Sequence, residues 1–145
     1  VFKKETEYAL RGLVYISRQN QEGRSPGISE ISTEVETPLH YMAKILQRLV
    51  RLGFIQSSKG KNGGYSFNPD KPDLTLKEVI VSIEGDGLFN GCGFGLKQCD
   101  EQNPCPLHTS YAPIRNALNQ LVNEETIQNL ADNNSSAFDI ILNRK

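Results

Sequence analysis

The chain has 145 residues, 37% of them apolar, with 12 glycines and 16 basic against 17 acidic side chains. That is one domain, or one domain with an appendage, with apolar material for a core, which excludes wholesale disorder. No apolar run approaches the roughly 18 residues of a membrane span and no signal sequence precedes Lys3-Lys4-Glu5, so the expected compartment is the cytoplasm.

In chain order, Ala9, Leu13 and Ile16, flanked by Leu10 and Val14, predict a helix over 5–19. Residues 20–27 read as a loop, and Ile28, Ile31 and Val35 share one face of a short helix over 28–36. Thr37-Pro38 reads as an N-cap followed by proline at the first helical position. Met42, Ile45, Leu46 and Leu49 then predict a helix over 38–52 that stops at Gly53. Two short strands, 54–57 and 65–68, flank a turn-rich segment over 58–64. Thr75-Leu76-Lys77-Glu78 is a capping box opening a helix with Leu76, Val79, Ile80 and Ile83 on one face and Gly85 behind it. Residues 85–108 hold five glycines, two prolines and all three cysteines, and read as an irregular loop. A helix over 110–123 follows, with Ile114, Leu118, Leu121 and Val122 in register. Ile127 and Leu130 are expected to pack back, Asn133-Asn134-Ser135-Ser136 is a break, and residues 138–142 form a last short helix.

Helix, helix, tight connection, helix and hairpin is the order of a winged helix-turn-helix in a mainly α fold. Residues 1–72 would be the DNA-binding unit. Residues 73–145 would carry a helix, the cysteine loop (about 91–108) and the last long helix, packed with the first unit as one domain. Charge agrees with this division: residues 1–68 hold ten Lys/Arg against six acids, a net +4, while residues 69–145 come to −5. The first half therefore has the sign of a surface for a polyanion. The second helix of the motif would present Thr37, Leu39, His40, Tyr41 and Lys44 outward, with Arg48 further along. The wing would bring Ser58, Lys59, Gly60, Lys61, Asn62, Gly63, Gly64 and Tyr65 to the duplex, its glycines letting backbone N–H groups approach phosphates. A charged helical hairpin with a core-capping turn is the plainer account of the same residues.

Cys92, Cys99, Cys105 and His108 stand as C-x6-C-x5-C-x2-H, a set able to wrap one metal centre without remote segments. Gly91, Gly93 and Gly95 permit the bends, and Pro104 and Pro106 stiffen the last turn. Spacing admits an iron–sulfur cluster and a structural zinc equally, and three unligated thiols are the bland alternative. No nucleophile–base pair and no phosphate loop is present, so an enzyme is not expected.

Thr6-Glu7-Tyr8-Ala9-Leu10-Arg11, Ile45-Leu46-Gln47-Arg48-Leu49 with Gly53, Lys59-Gly60-Lys61-Asn62-Gly63-Gly64-Tyr65 and Ile83-Glu84-Gly85 before the cysteine loop resemble the Rrf-two family of bacterial transcription regulators. The resemblance covers roughly residues 2–130. That family includes cluster-assembly regulators, nitric-oxide-sensing repressors and cysteine-metabolism repressors. The resemblance implies a homodimer whose contact is the 110–123 helix. It also implies a 2Fe–2S cluster on Cys92, Cys99, Cys105 and His108, with Glu7 of the partner subunit as the rival fourth ligand. Glu7 is otherwise an ordinary ion-paired helix residue. Two departures stand out: Lys59 where the family often has Arg before the wing glycine, and six residues rather than five between the first two cysteines. The function implied is a DNA-binding transcriptional regulator, a repressor, sensing iron–sulfur, redox or nitric-oxide status. The alternative is a winged-helix regulator with an empty or zinc-filled loop, controlled by thiol oxidation or a partner protein.

Overall fold

A computed structural model describes residues 1–97 and 100–132. In chain order these form α1 (Lys4–Gln21), α2 (Ile28–Glu34), α3 (Leu39–Arg51), β1 (Gln56–Ser58), β2 (Gly64–Ser66), α4 (Leu76–Glu84), α5 (Gly87–Asn90), α6 (His108–Glu124) and α7 (Ile127–Asp132). The strands pair antiparallel, with Ser57 opposite Tyr65. This is the winged helix-turn-helix expected from the order of elements.

Helical spacing of the apolar residues builds the core. Leu13 and Ile16 of α1, Ile31 of α2, and Met42, Leu46 and Leu49 of α3 are fully buried together. The cluster does not end with the wing: Leu74, Val79 of α4, and Ile127 and Ala131 of α7 belong to it. α7 reaches α1 because the 125–127 segment is bonded to the start of α4. Leu76 N–H donates to Glu125 O at 3.0 Å and Ile127 N–H to Leu74 O at 2.8 Å. A smaller cluster, Ile80, Phe89 and Val122, joins α4, α5 and α6.

Several expectations shift. Thr37 is not an exposed N-cap: it is buried, its N–H donates to Ser32 O, and Pro38 occupies the cap position without a side-chain bond. The cause is the sharp corner between α2 and α3, where Glu36 takes a left-handed conformation (φ 51°) and swings Thr37 inward. Both strands start or end away from the expected positions. Ile55 is drawn into the core, and Phe54 N–H closes the end of α3 on Leu49 O. Pairing therefore begins only at Gln56. On the other strand, Phe67 N–H is taken by Asn20 Oδ1 at 2.9 Å rather than by the hairpin. The glycine-rich loop contains one helical turn, α5, because Phe89 must be buried. α6 begins at His108, two residues earlier than the spacing indicated, and it leaves Ile114 and Leu121 exposed while burying Val122. The break and last helix expected beyond 132 lie outside the described residues.

Candidate functional site

The outward side of α3 carries Leu39, His40, Tyr41 and Lys44, all exposed. The apolar stripe Met42, Ile45, Leu46 and Leu49 faces inward and forces this polarity. Tyr41 meets the edge of Tyr8 of α1, ring centroids 5.6 Å apart at 80°. Lys4 and Arg11 sit over that Tyr8 ring at 5.6 and 5.1 Å. The structure thus adds two α1 cations beside the start of α3. Sequence reasoning missed them; the signal was the Lys4, Tyr8, Arg11 spacing, which places all three on one helix face.

Arg48, expected further along the DNA face, is engaged within the protein. Its Nη2 donates to Ser82 O at 2.6 Å and its Nη1 lies 3.5 Å from Glu5 Oε1. Ser82 belongs to α4, whereas Glu5 of α1 lines a surface pocket with Tyr41, Lys44 and Ile45 beside the open side of α3.

In the wing, Ser58, Lys59, Gly60, Lys61 and Asn62 are exposed, while Gly63, Gly64 and Tyr65 are half-buried. The wing is anchored at its base. Tyr65 N–H donates to Pro26 O at 2.9 Å, and a Cβ on Gly64 (φ 152°) would overlap the Ser25 and Pro26 carbonyls. Burial raises the Tyr65 phenol above its ordinary pKa. Tyr65 is thus the wing's foot, and the two lysines and Asn62 are its tip.

The cysteine loop brings two of its thiols together. Cys92 Sγ and Cys105 Sγ are 3.5 Å apart, and Phe94 N–H donates to Cys92 Sγ at 3.4 Å. Backbone donors, Phe94 foremost and then Leu96, hold the Cys92 thiol below its ordinary pKa. His108 N–H donates to Cys105 O at 3.0 Å, so the first residue of α6 is tied to the third cysteine. Cys99 lies outside the described residues. Among those described, no three His, Cys, Asp or Glu side chains form a ligand group. Glu7 is on the exposed side of α1, its Oε1 3.9 Å from Lys4 Nζ. Arg115 of α6, which the sequence reading did not single out, donates from Nη1 to Gly91 O at 3.3 Å.

These donors fit a thiolate-bound centre. Two thiolates on one tetrahedral metal, with metal–sulfur bonds of about 2.3 Å, stand about 3.8 Å apart. The Cys92–Cys105 separation is close to that, and the Phe94 N–H supplies a sulfur hydrogen bond of the kind that stabilises cluster thiolates.

A winged helix with a cationic α3, a basic wing and a thiol-bearing loop before its last long helix is the architecture of a DNA-binding regulator. The family model described as Rrf2, iron-dependent transcriptional regulator, matches residues 2–133, and the chain belongs to that family. It is 27% identical over 139 residues to the HTH-type transcriptional regulator YwgB of Bacillus subtilis, covering 95% of this chain and 88% of that protein. Its fold is similar to that of CymR (YrzC), the global cysteine regulator of B. subtilis, with a TM-score of 0.71 at 19% identity over 92% of this chain and 98% of that one. It is also similar to T. potens IscR, with a TM-score of 0.70 at 14% identity over 94% and 90% of the two chains. The protein is a winged-helix transcriptional regulator. Among its described residues no helix is long and apolar enough to cross a membrane.

Proposed function

We propose that the protein is a cytoplasmic homodimeric repressor whose DNA affinity is set by an iron–sulfur cluster in the 91–108 loop. Leu39, His40, Tyr41 and Lys44 enter the major groove, and the wing residues 58–65 lie along the minor groove, with half-sites about 34 Å apart. Cys92, Cys99, Cys105 and His108 hold the cluster, taken as 2Fe–2S, and Glu7 of the partner subunit is the rival to His108. When bound, such a cluster supplies a redox- and nitric-oxide-reactive centre. The chain's own part is to present two thiols 3.5 Å apart, with a backbone N–H on one of them, at the start of the helix that bears the exposed Ile114 and Leu121. The paired thiols are the observation that carries the reading.

The test is anaerobic purification with an absorption spectrum and iron, sulfide and zinc analysis, then operator binding before and after cluster removal. Visible bands with matched iron and sulfide support it, as does an affinity change of about 5–150-fold, the range typical of coupled sites. A zinc-loaded, colourless protein overturns the cluster.

A second reading has the same two sulfurs in its favour. Thiols at 3.5 Å are close enough to be joined by an oxidant, and the fold is similar to that of the cysteine regulator CymR. A colourless, metal-free protein that resists reconstitution, yet binds DNA differently after peroxide treatment, selects this reading.

A further inference from the structure

The contacts of Arg48 join two parts of the molecule that the function must connect. Arg48 belongs to α3, four residues beyond Lys44 on the same helix face. Its guanidinium binds Ser82 O near the end of α4 and also pairs with Glu5 of α1. Two residues beyond Ser82, Glu84 is fastened to the same end of α1. Its Oε2 accepts from Lys3 N–H at 2.9 Å and from the Thr6 hydroxyl at 2.6 Å, and Thr6 is fully buried. Gly85, with φ 83°, ends α4, and the chain runs straight into the segment that bears Cys92. The last turn of α4 is therefore a node. It touches the recognition helix through Arg48, α1 through Glu84, and the cysteine loop by direct continuation.

We propose that Arg48 is a positioning residue, which fixes α3 to the end of α4 so that a displacement of Ser82–Gly85 moves the recognition helix, and that it is not a reader of DNA. A guanidinium suits this task because it bonds two acceptors in different directions at once, which an ammonium on a flexible stem does not do with the same geometry. The carbonyl of Ser82 is a fitting acceptor, since the last carbonyls of a helix lack intrahelical partners and carry the negative end of its dipole. The step from helix position to sensing rests on the function proposed above; the step from Arg48 to helix position does not.

The test uses the full chain, with a duplex enriched by the wild-type protein from a random-sequence pool and a non-enriched duplex of equal length. Arg48→Gln and Arg48→Lys are both expected to bind the enriched duplex at least tenfold more weakly, with unchanged affinity for the other duplex and an unchanged salt slope. Glu5→Gln, which removes only the second contact, should give a smaller loss of the same kind. A phosphate contact would behave differently: Arg48→Lys would bind like wild type, and Arg48→Gln would lower the log–log salt slope by about 0.9. That result overturns the proposal, and so does a loss of sequence preference confined to a single base-pair position of the enriched duplex, the mark of an arginine that reads a base edge. So does wild-type affinity in both variants with only a lowered melting temperature, the mark of a merely structural bond. Where loaded and stripped wild-type protein differ in affinity, the ratio should collapse toward one in Arg48→Gln, and a ratio equal to the wild type's overturns the coupling. A wild-type ratio of one refutes the sensing function alone, and the comparison of duplexes still decides the role of Arg48.

Discussion

Asn20 holds the wing to the body of the protein with one amide. Its Nδ2 donates to Arg24 O at 2.8 Å and to Tyr65 O at 3.4 Å, and its Oδ1 accepts from Phe67 N–H at 2.9 Å. Asn20→Ala leaves these groups without partners at a half-buried site, and the expected cost is about 2 kcal/mol in urea denaturation. The wing should also become accessible to proteolysis while α3 stays folded. Beside it, Tyr15 donates its hydroxyl to Glu30 at 2.5 Å, and Arg24 grips the same carboxylate at 2.7 Å. The bond from Arg24 holds the Glu30 carboxyl below its ordinary pKa, and burial with the Glu30 bond raises the Tyr15 phenol. A depressed carboxyl pKa adds stability above the unfolded-state value and loses it as pH falls through the folded-state value. Glu30→Gln should therefore be less stable than wild type at pH 7, and the gap should close as pH drops below the ordinary glutamate pKa of about 4.3. Equal gaps at both pH values would show that the pair carries none of the acid sensitivity. Neither role was legible in the sequence, because each depends on groups that only the loop over 20–27 brings together.

Elements were more legible than residues, and the reason is periodicity. Met42, Ile45, Leu46 and Leu49 point one way on any helix, so α3 and its open face followed from spacing alone. The capping box followed too: Glu78 N–H donates to Thr75 Oγ1 at 3.1 Å and Thr75 N–H to Glu78 Oε2 at 2.8 Å. Thr75→Ala should cost about 1 kcal/mol of stability, measured by thermal unfolding. What spacing could not give was the fate of residues at corners. Thr37 has the composition of an N-cap, yet the left-handed turn at Glu36 rotates it inward. Phe89 sits among glycines that read as loop, yet with Ile80 and Val122 it forms a second core that roots the cysteine loop on α4 and α6. Phe89→Ala removes most of that cluster, and the expected cost is about 3–5 kcal/mol. Loop motion around Cys92 should rise in parallel, read by faster hydrogen exchange of residues 87–95 than of α1. The cysteine pair was legible as a set but not as a geometry, since glycines leave the path between ligands undetermined.

At the scale of the molecule, the two halves carry net charges of opposite sign. Lys4, Arg11, Lys44, Lys59 and Lys61 belong to the first half, whose net charge is +4. The exposed Ile114 and Leu121 belong to α6 in the second half, whose net charge is −5. In the dimer proposed above, Ile114 and Leu121 are the apolar residues that α6 offers a second copy, since the buried Val122 is already committed to the intramolecular cluster with Ile80 and Phe89. Ile114 and Leu121 are seven residues apart, two turns along one stripe, which is the spacing of a helix seam. Ile114→Lys with Leu121→Lys should therefore convert a dimer into a folded monomer in sedimentation, since neither side chain supports the core. The DNA consequence then separates two contributions. A monomer keeps its phosphate contacts to one half-site, but loses the second, so affinity for a palindromic duplex should fall by at least 100-fold and the salt slope should roughly halve. A variant that stays dimeric would place the interface on another face, and a monomer with undiminished operator affinity would show that this regulator reads its site one subunit at a time.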